Sequence, residues 1–188
     1  MTTSVTRLLQ RFDAWARTHD LDYLRYRPEG CSEQELASLE ARLGFLLPAG
    51  LREFLSLMNG EDPGDKYIFG GMNALLSLGE IVAEYDYMMA RMGDPLPPEA
   101  VFEGPVRRAF WNKKWVPFLM ANDLPYYLDL APEAGGVVGQ VIFVDVEGAR
   151  VCCVATSFEE LLAETVEMVL TTGHSHDYAP RWKERSPA

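Results

Sequence analysis

The pattern of apolar and polar residues is clearest between residues 115 and 162. Four apolar runs of strand length alternate there with turn-forming residues, at positions 115–120, 126–130, 140–144 and 150–155. The intervening segments hold Asn, Asp, Pro and Gly and are too short for helical crossovers. The pattern therefore predicts an antiparallel meander of strands.

The period of the pattern changes at Ser157. Apolar residues then recur every three or four positions, as expected for one face of a helix: Phe158, Leu161, Leu162, Thr165, Val166 and Val169. Ser157, with Glu160 three residues later, resembles a capping box at the helix start. We expect this helix to close over one face of the sheet.

Helical periodicity also precedes the meander, at positions 4–18, 32–44, 48–59 and 78–92. Residues 67–69 are a candidate strand, and residues 101–114 are interpreted as a helical turn followed by a loop. The sequence thus predicts one α+β domain over residues 1–172, with an extra N-terminal helix and an antiparallel sheet of about four to six strands packed against several helices. Residues 173–188 lack a periodic pattern, so we expect a loosely structured tail, and deletion of residues 172–188 should cost little stability.

Net charge, hydropathy and cysteine content indicate which partners and which compartment to expect. Twenty-eight acidic and seventeen basic residues give a formal net charge of −11, which argues against direct nucleic-acid binding and allows a basic protein partner. No apolar stretch reaches the length of a membrane span and no secretory segment is evident, so we expect a cytoplasmic protein that binds no membrane. The adjacent Cys152 and Cys153 should point to opposite faces of a strand and remain reduced.

Few residues suggest catalytic chemistry. His174, His176 and Asp177 are metal-ligating types, but they lie in the tail. Cys152 and Cys153 lie in an apolar strand without an evident base. We therefore expect neither an enzyme nor a cofactor or metal site, and keep a metal-dependent hydrolase only as a third hypothesis.

Two stretches resemble a known family. The first, SEQELASLEARLGFLLPAGLREFLSLMNG, leads from an acidic helix through a leucine-proline turn to a second helix and an Asn-Gly stop. The second runs from WVPF through YYLDLAP and GQVI to VATSFEELL. In this order the motifs resemble the SUKH superfamily, which includes the fungal Knr/Smi cell-wall regulators and many bacterial immunity proteins. The resemblance implies an α+β binding scaffold without catalytic residues.

Two functions follow as hypotheses from this resemblance. The first is an immunity protein that neutralises a cognate bacterial toxin by direct binding, the partner being a basic toxin domain, for example one of the nuclease type. The alternative is a Knr/Smi-like regulatory or scaffolding protein that acts on an endogenous partner. Gene context distinguishes them, because only the first requires a neighbouring toxin.

The predicted partner-binding surface is the face of the sheet that the helices leave open. Alternation places Tyr127 and Asp129 on one face, away from the more apolar Tyr126, Leu128 and Leu130. Hydrogen bonding at a strand end is the alternative role for Asp129. Acidic residues beside aromatic anchors suit a basic partner, which completes the predicted set: Glu61, Asp62, Trp111, Asp123, Tyr127 and Asp129.

Overall fold

The structure is a computed structural model that describes residues 4–19, 27–61, 73–121 and 124–173. These residues form five helices and six strands. The helices are α1 (Val5–Thr18), α2 (Glu33–Leu43), α3 (Ala49–Leu57), α4 (Leu78–Ala90) and α5 (Phe158–Thr172). The strands are β1 (Asn73–Leu75), β2 (Val101–Glu103), β3 (Trp115–Ala121), β4 (Leu124–Asp129), β5 (Gln140–Asp145) and β6 (Arg150–Ala155).

The six strands form one sheet in the order β1-β3-β4-β5-β6-β2. The predicted meander is confirmed, because β3 to β6 pair antiparallel in chain order. At one edge β1 adds antiparallel to β3, and at the other β2 pairs parallel with β6. The α+β class is therefore confirmed, with a sheet that is mostly antiparallel.

Helices α1, α3 and α5 form a layer over one face of the sheet. The ring of Phe158 in α5 lies 5.5 Å from that of Phe118 in β3 and 5.7 Å from that of Phe54 in α3. Helix α1 packs outside them, where the Thr6 hydroxyl donates to Glu53 at 2.6 Å. The buried side chains of these three helices belong to the same hydrophobic core as those of the sheet.

The other face of the sheet is also covered, so the predicted open face is wrong. Strands β1 and β2 lie at opposite edges, and the chain between them must cross the sheet, which it does through α4. Residues 104–114 then return across the same face, where the Pro105 carbonyl accepts from Gln140 Nε2 in β5. Residues 101–114 were predicted as a helical turn and a loop, but they begin with the short strand β2 and form no helix.

Serine caps define several helix starts. The predicted capping box of Ser32 and Glu35 is confirmed, and Ser77 with Glu80 forms another. At α5 the Ser157 hydroxyl accepts from the Glu160 N–H at 3.1 Å, but the Glu160 carboxylate binds Thr156 rather than closing the box. Among the described residues, no helix combines the length and apolar content needed to cross a membrane.

Candidate functional site

A cleft of about 390 Å³ lies where two loops and two helix starts meet. One wall is the turn between α2 and α3, and the other is the loop between β4 and β5. Helices α3 and α5 both begin at its floor. The lining residues are Leu46, Leu47, Pro48, Ala49, Leu130, Val138, Gly139, Ser157, Phe158 and Glu159.

Three exposed apolar side chains lie on the two segments that form the cleft walls; Leu46 and Val138 line the cleft, and Val137 precedes Val138 in the same loop. Leu46 is 77% exposed on the first wall, and Val138 and Val137 are 70% and 53% exposed on the second. Single exposed apolar residues are ordinary on a protein surface, but several on the walls of one concavity are typical of a binding site. We call Leu46, Val137 and Val138 the apolar rim.

A buried glutamate holds the first wall. Glu40 of α2 accepts a hydrogen bond from the Leu47 N–H at 3.1 Å, and the same carboxylate oxygen lies 3.3 Å from Arg52 Nε. Helix α2 ends at Leu43 and is capped by Gly44, whose left-handed φ of 76° turns the chain sharply. Leu47 is thereby buried in the core, and its neighbour Leu46 is left outside.

A buried aspartate holds the second wall. Asp129 ends β4 and accepts from the Ala131 N–H at 2.9 Å and from Gln140 Nε2 at 3.2 Å. The Gln140 amide oxygen in turn accepts from the Val137 N–H at 3.2 Å. Burial raises the pKa of Asp129, and the hydrogen bonds it accepts partly oppose this rise. The network anchors the loop at its base and leaves the Val137 and Val138 side chains in solvent.

Glu159 lies on the floor of the cleft, in the first turn of α5. Its carboxylate packs against Gly50 in the first turn of α3, so closely that a Cβ at residue 50 would come within 2.5 Å of Glu159 Oε1. Helix α3 has neither a side-chain cap nor an acidic residue in its first turn. Glu159 therefore places a negative charge near the start of two helices, where the helix dipoles stabilise it.

The predicted site residue Glu61 is buried, so its expected exposure is wrong. Its backbone N–H donates to the Leu75 carbonyl at 2.8 Å, and its carboxylate accepts from the Leu75 N–H at 3.0 Å. Leu75 belongs to the edge strand β1, which pairs with β3 on its other side. Glu61 thus occupies backbone groups that an edge strand would otherwise present to another chain.

Tyr127 and Asp129 are also fully buried, which corrects their predicted place on an open face. The Tyr127 hydroxyl donates to Glu84 of α4 at 2.9 Å, and its ring lies 5.9 Å from that of Trp115. The expected exposure fails because α4 crosses this face of the sheet. Asp129 has the strand-end hydrogen bonds that were its alternative role.

Trp111 is buried as well, so it is not an exposed anchor at the sheet rim. The Tyr87 ring packs edge-on against it at 6.0 Å, and the Arg91 guanidinium lies 5.8 Å from its ring centre. The predicted site residues Asp62 and Asp123, the candidate strand 67–69 and the tail with His174, His176 and Asp177 lie outside the described residues. Within the described ranges, no three metal-ligating side chains form a group that could hold an ion.

The apolar rim was missed by sequence reasoning, although a signal exists. Phe45, Leu46 and Leu47 are three consecutive apolar residues between a helix-stopping glycine and Pro48, and a tight turn cannot bury all three. Val137 and Val138 similarly stand between glycines in a loop. The Glu159 position was not predictable, because it depends on the approach of α3 and α5.

The described residues thus define an α+β fold built around a six-stranded, mostly antiparallel sheet, with the cleft at one end of strands β4 and β5. Comparison with family models matches residues 30–164 to the SMI1 / KNR4 family (SUKH-1). The match covers most of the chain, and the chain belongs to this family. It includes every residue that lines the cleft, whereas α1 lies outside it. A search of curated proteins found no match.

Proposed function

We propose that this protein is an immunity protein that neutralises a cognate bacterial toxin by binding it directly. The observation that carries the proposal is the apolar rim, three exposed side chains on loops that buried carboxylates hold in place. A preorganised apolar surface loses little conformational entropy on binding, which favours tight association. Family membership supports a protein partner, since immunity proteins are among the members that the sequence resembles.

The chemistry of the chain is consistent with this role. The net charge of −11 would steer a basic toxin domain towards the protein, as for a nuclease whose active site attracts phosphate. All three cysteines are free, and burial raises the pKa of each thiol, so they resist oxidation and suit the reducing cytoplasm. The proposal therefore places the protein in the cytoplasm, without enzymatic activity.

The second candidate is a regulatory or scaffolding protein with an endogenous partner. The family name itself, SMI1 / KNR4, favours keeping it. The same apolar rim would serve either role, so the surface does not separate them. The partner does, because only an immunity protein must protect a cell against a toxin.

Co-expression tests the proposal. The protein is produced beside each toxin encoded by neighbouring genes, and cell survival is compared with and without it. We expect protection against one toxin and a complex that co-purifies with it. The rim variant Leu46→Ser/Val137→Ser/Val138→Ser should lose protection, whereas Val101→Ser, at an exposed valine of β2, should keep it. Protection against none of these toxins would contradict the immunity function.

A further inference from the structure

The cleft has the dimensions of a site for one or two side chains. Its volume of about 390 Å³ lies near the lower end of small ligand sites, and it is too small to accept a helix. Its lining is mostly apolar, from Leu46 and Leu47 on one wall to Leu130 and Val138 on the other. A partner would therefore insert an aliphatic side chain of about leucine size, which would also cover the apolar rim.

The charge in the cleft determines which residues of the partner are favoured next to the inserted apolar side chain. Among the described lining residues, Glu159 is the only ionisable one, and it has no ion pair within the described parts of the chain. Its position against Gly50 holds the carboxylate in place. A cation at the cleft would gain an ion pair, whereas an acidic partner segment would meet a fixed like charge.

Two basic side chains around the α2–α3 turn already have partners. Arg52 pairs with Glu33 at 2.7 Å and lies 3.3 Å from Glu40, and Lys114 Nζ lies 4.4 Å from the centre of the Phe45 ring. Neither of them pairs with Glu159, so among the described residues that carboxylate remains available to an external partner. The chain's net charge of −11 favours the same sign of partner at longer range.

We propose that the cleft docks a partner-protein segment in which a leucine-sized apolar side chain is flanked by lysine or arginine, with the apolar side chain between the two walls and the cation at Glu159. This inference rests on the proposed function only in taking a protein as the partner. The wall positions supply apolar contact, and Glu159 supplies the preference for positive charge.

Synthetic peptides test the site without a known partner. The probes are acetyl-Gly-Lys-Leu-Lys-Gly-amide, its counterpart with both lysines replaced by glutamate, and its counterpart with leucine replaced by alanine. Each is titrated into the full-length protein while the methyl signals of Leu46, Val137 and Val138 are followed by NMR. We expect saturable shifts at these residues with the first peptide and about tenfold weaker binding of the other two.

Two matched variants sharpen the test. Glu159→Gln should weaken binding of the lysine-leucine peptide several-fold, while this peptide should still bind more tightly than its alanine counterpart. The control Glu147→Gln removes a charge from the exposed β5–β6 turn and should leave the affinity of every peptide unchanged. Equal binding of all three peptides, shifts confined to other residues, or no saturable shift would overturn the inference. Melting temperatures of both variants confirm that they remain folded.

The outcomes separate this inference from the proposed function. A protein that binds the lysine-leucine peptide in the cleft and protects against no toxin retains the docking site and loses the immunity role. A protein that neutralises a toxin but does not distinguish the peptides retains the role and loses this site.

Discussion

The cleft and the sheet face beneath α4 combine carboxylates with apolar side chains in opposite ways. Beneath α4, the Glu84 carboxylate accepts from the Tyr127 hydroxyl, and Tyr127 packs on Trp115. The acid and the aromatic rings satisfy one another, so nothing is left for a partner. This face contributes to stability, although its residue types are those of a binding surface.

At the cleft the carboxylates bind backbone instead. Glu40 accepts from the N–H of Leu47, and Asp129 from that of Ala131, and each thereby fixes a loop. The apolar side chains of Leu46 and Val138 remain exposed on these loops. The difference shows how an apolar surface is left open to a partner. Where buried carboxylates hydrogen-bond to the backbone of a loop, the loop is fixed and its apolar side chains stay exposed.

The largest effect is expected beneath α4. Tyr127→Ala removes a fully buried ring and should lower the free energy of unfolding by about 3–5 kcal/mol. Tyr127→Phe keeps the ring and leaves Glu84 without this donor, which should cost about 1–3 kcal/mol. Urea denaturation measures both. A loss below about 1 kcal/mol for Tyr127→Ala would show that the ring is not packed.

A smaller loss is expected at the base of the β4–β5 loop. Asp129→Ala leaves the Ala131 N–H without its acceptor and should cost about 2–3 kcal/mol. Hydrogen exchange at the Val137 amide should also become faster, because Gln140 loses one of its anchors. The matched control is Asp145→Ala, which removes an exposed hydrogen bond to the Gly148 N–H and should cost much less. Unchanged exchange at Val137 would contradict the anchoring role.

Substitution of Glu61 should destabilise the edge of the sheet at β1. Glu61→Ala removes the acceptor of the buried Leu75 N–H and should cost about 1–3 kcal/mol. Glu61→Gln retains an acceptor oxygen and is the control. Exchange at the Leu75 amide should accelerate in the alanine variant alone, and equal exchange in both variants would argue against edge protection.

The pH dependence at Glu84 should be smaller still. Burial raises the pKa of Glu84 above the unfolded value of about 4.3, while the Tyr127 hydrogen bond opposes the rise. The folded state therefore binds the Glu84 proton more tightly than the unfolded state does. This contribution to stability is complete below pH about 4.3 and is lost as the pH rises through the pKa of the folded state. Glu84→Gln cannot titrate, so its stability relative to the wild type should increase over this range. Urea midpoints of the variant and the wild type from pH 4 to pH 7 measure this difference in stability. A difference that stays constant over the range would contradict the raised pKa of Glu84.

The contrast also shows what sequence reasoning can reach. The meander and the capped helices were predictable, because alternation, turn residues and Ser-x-x-Glu spacing are local signals. Alternation also showed correctly that Tyr126 and Tyr127 face opposite ways. It could not show what covers the Tyr127 face, since that depends on the path of residues 76–114 between the two sheet edges.

The expected exposure of Glu61, Tyr127 and Trp111 is wrong for the same reason. Glu61 follows a helix stop and resembles a solvated loop residue, yet its burial results from pairing with the edge strand β1. Tyr127 and Trp111 have the composition of binding anchors but are covered by α4 and by Tyr87 with Arg91. The exposure of Leu46 could be predicted from the apolar run in a tight turn. The position of Glu159 in the cleft could not, because it depends on how two helices pack.

The affinity of the rim variant for a captured toxin tests the central claim most directly. Leu46→Ser/Val137→Ser/Val138→Ser changes exposed side chains, so each substitution should alter the free energy of unfolding by no more than about 0.5 kcal/mol. Calorimetric titration should nevertheless show binding about a hundredfold weaker than in the wild type. The control Val101→Ser should bind as the wild type does. An unchanged dissociation constant for the folded rim variant would contradict the account and place the partner on another surface.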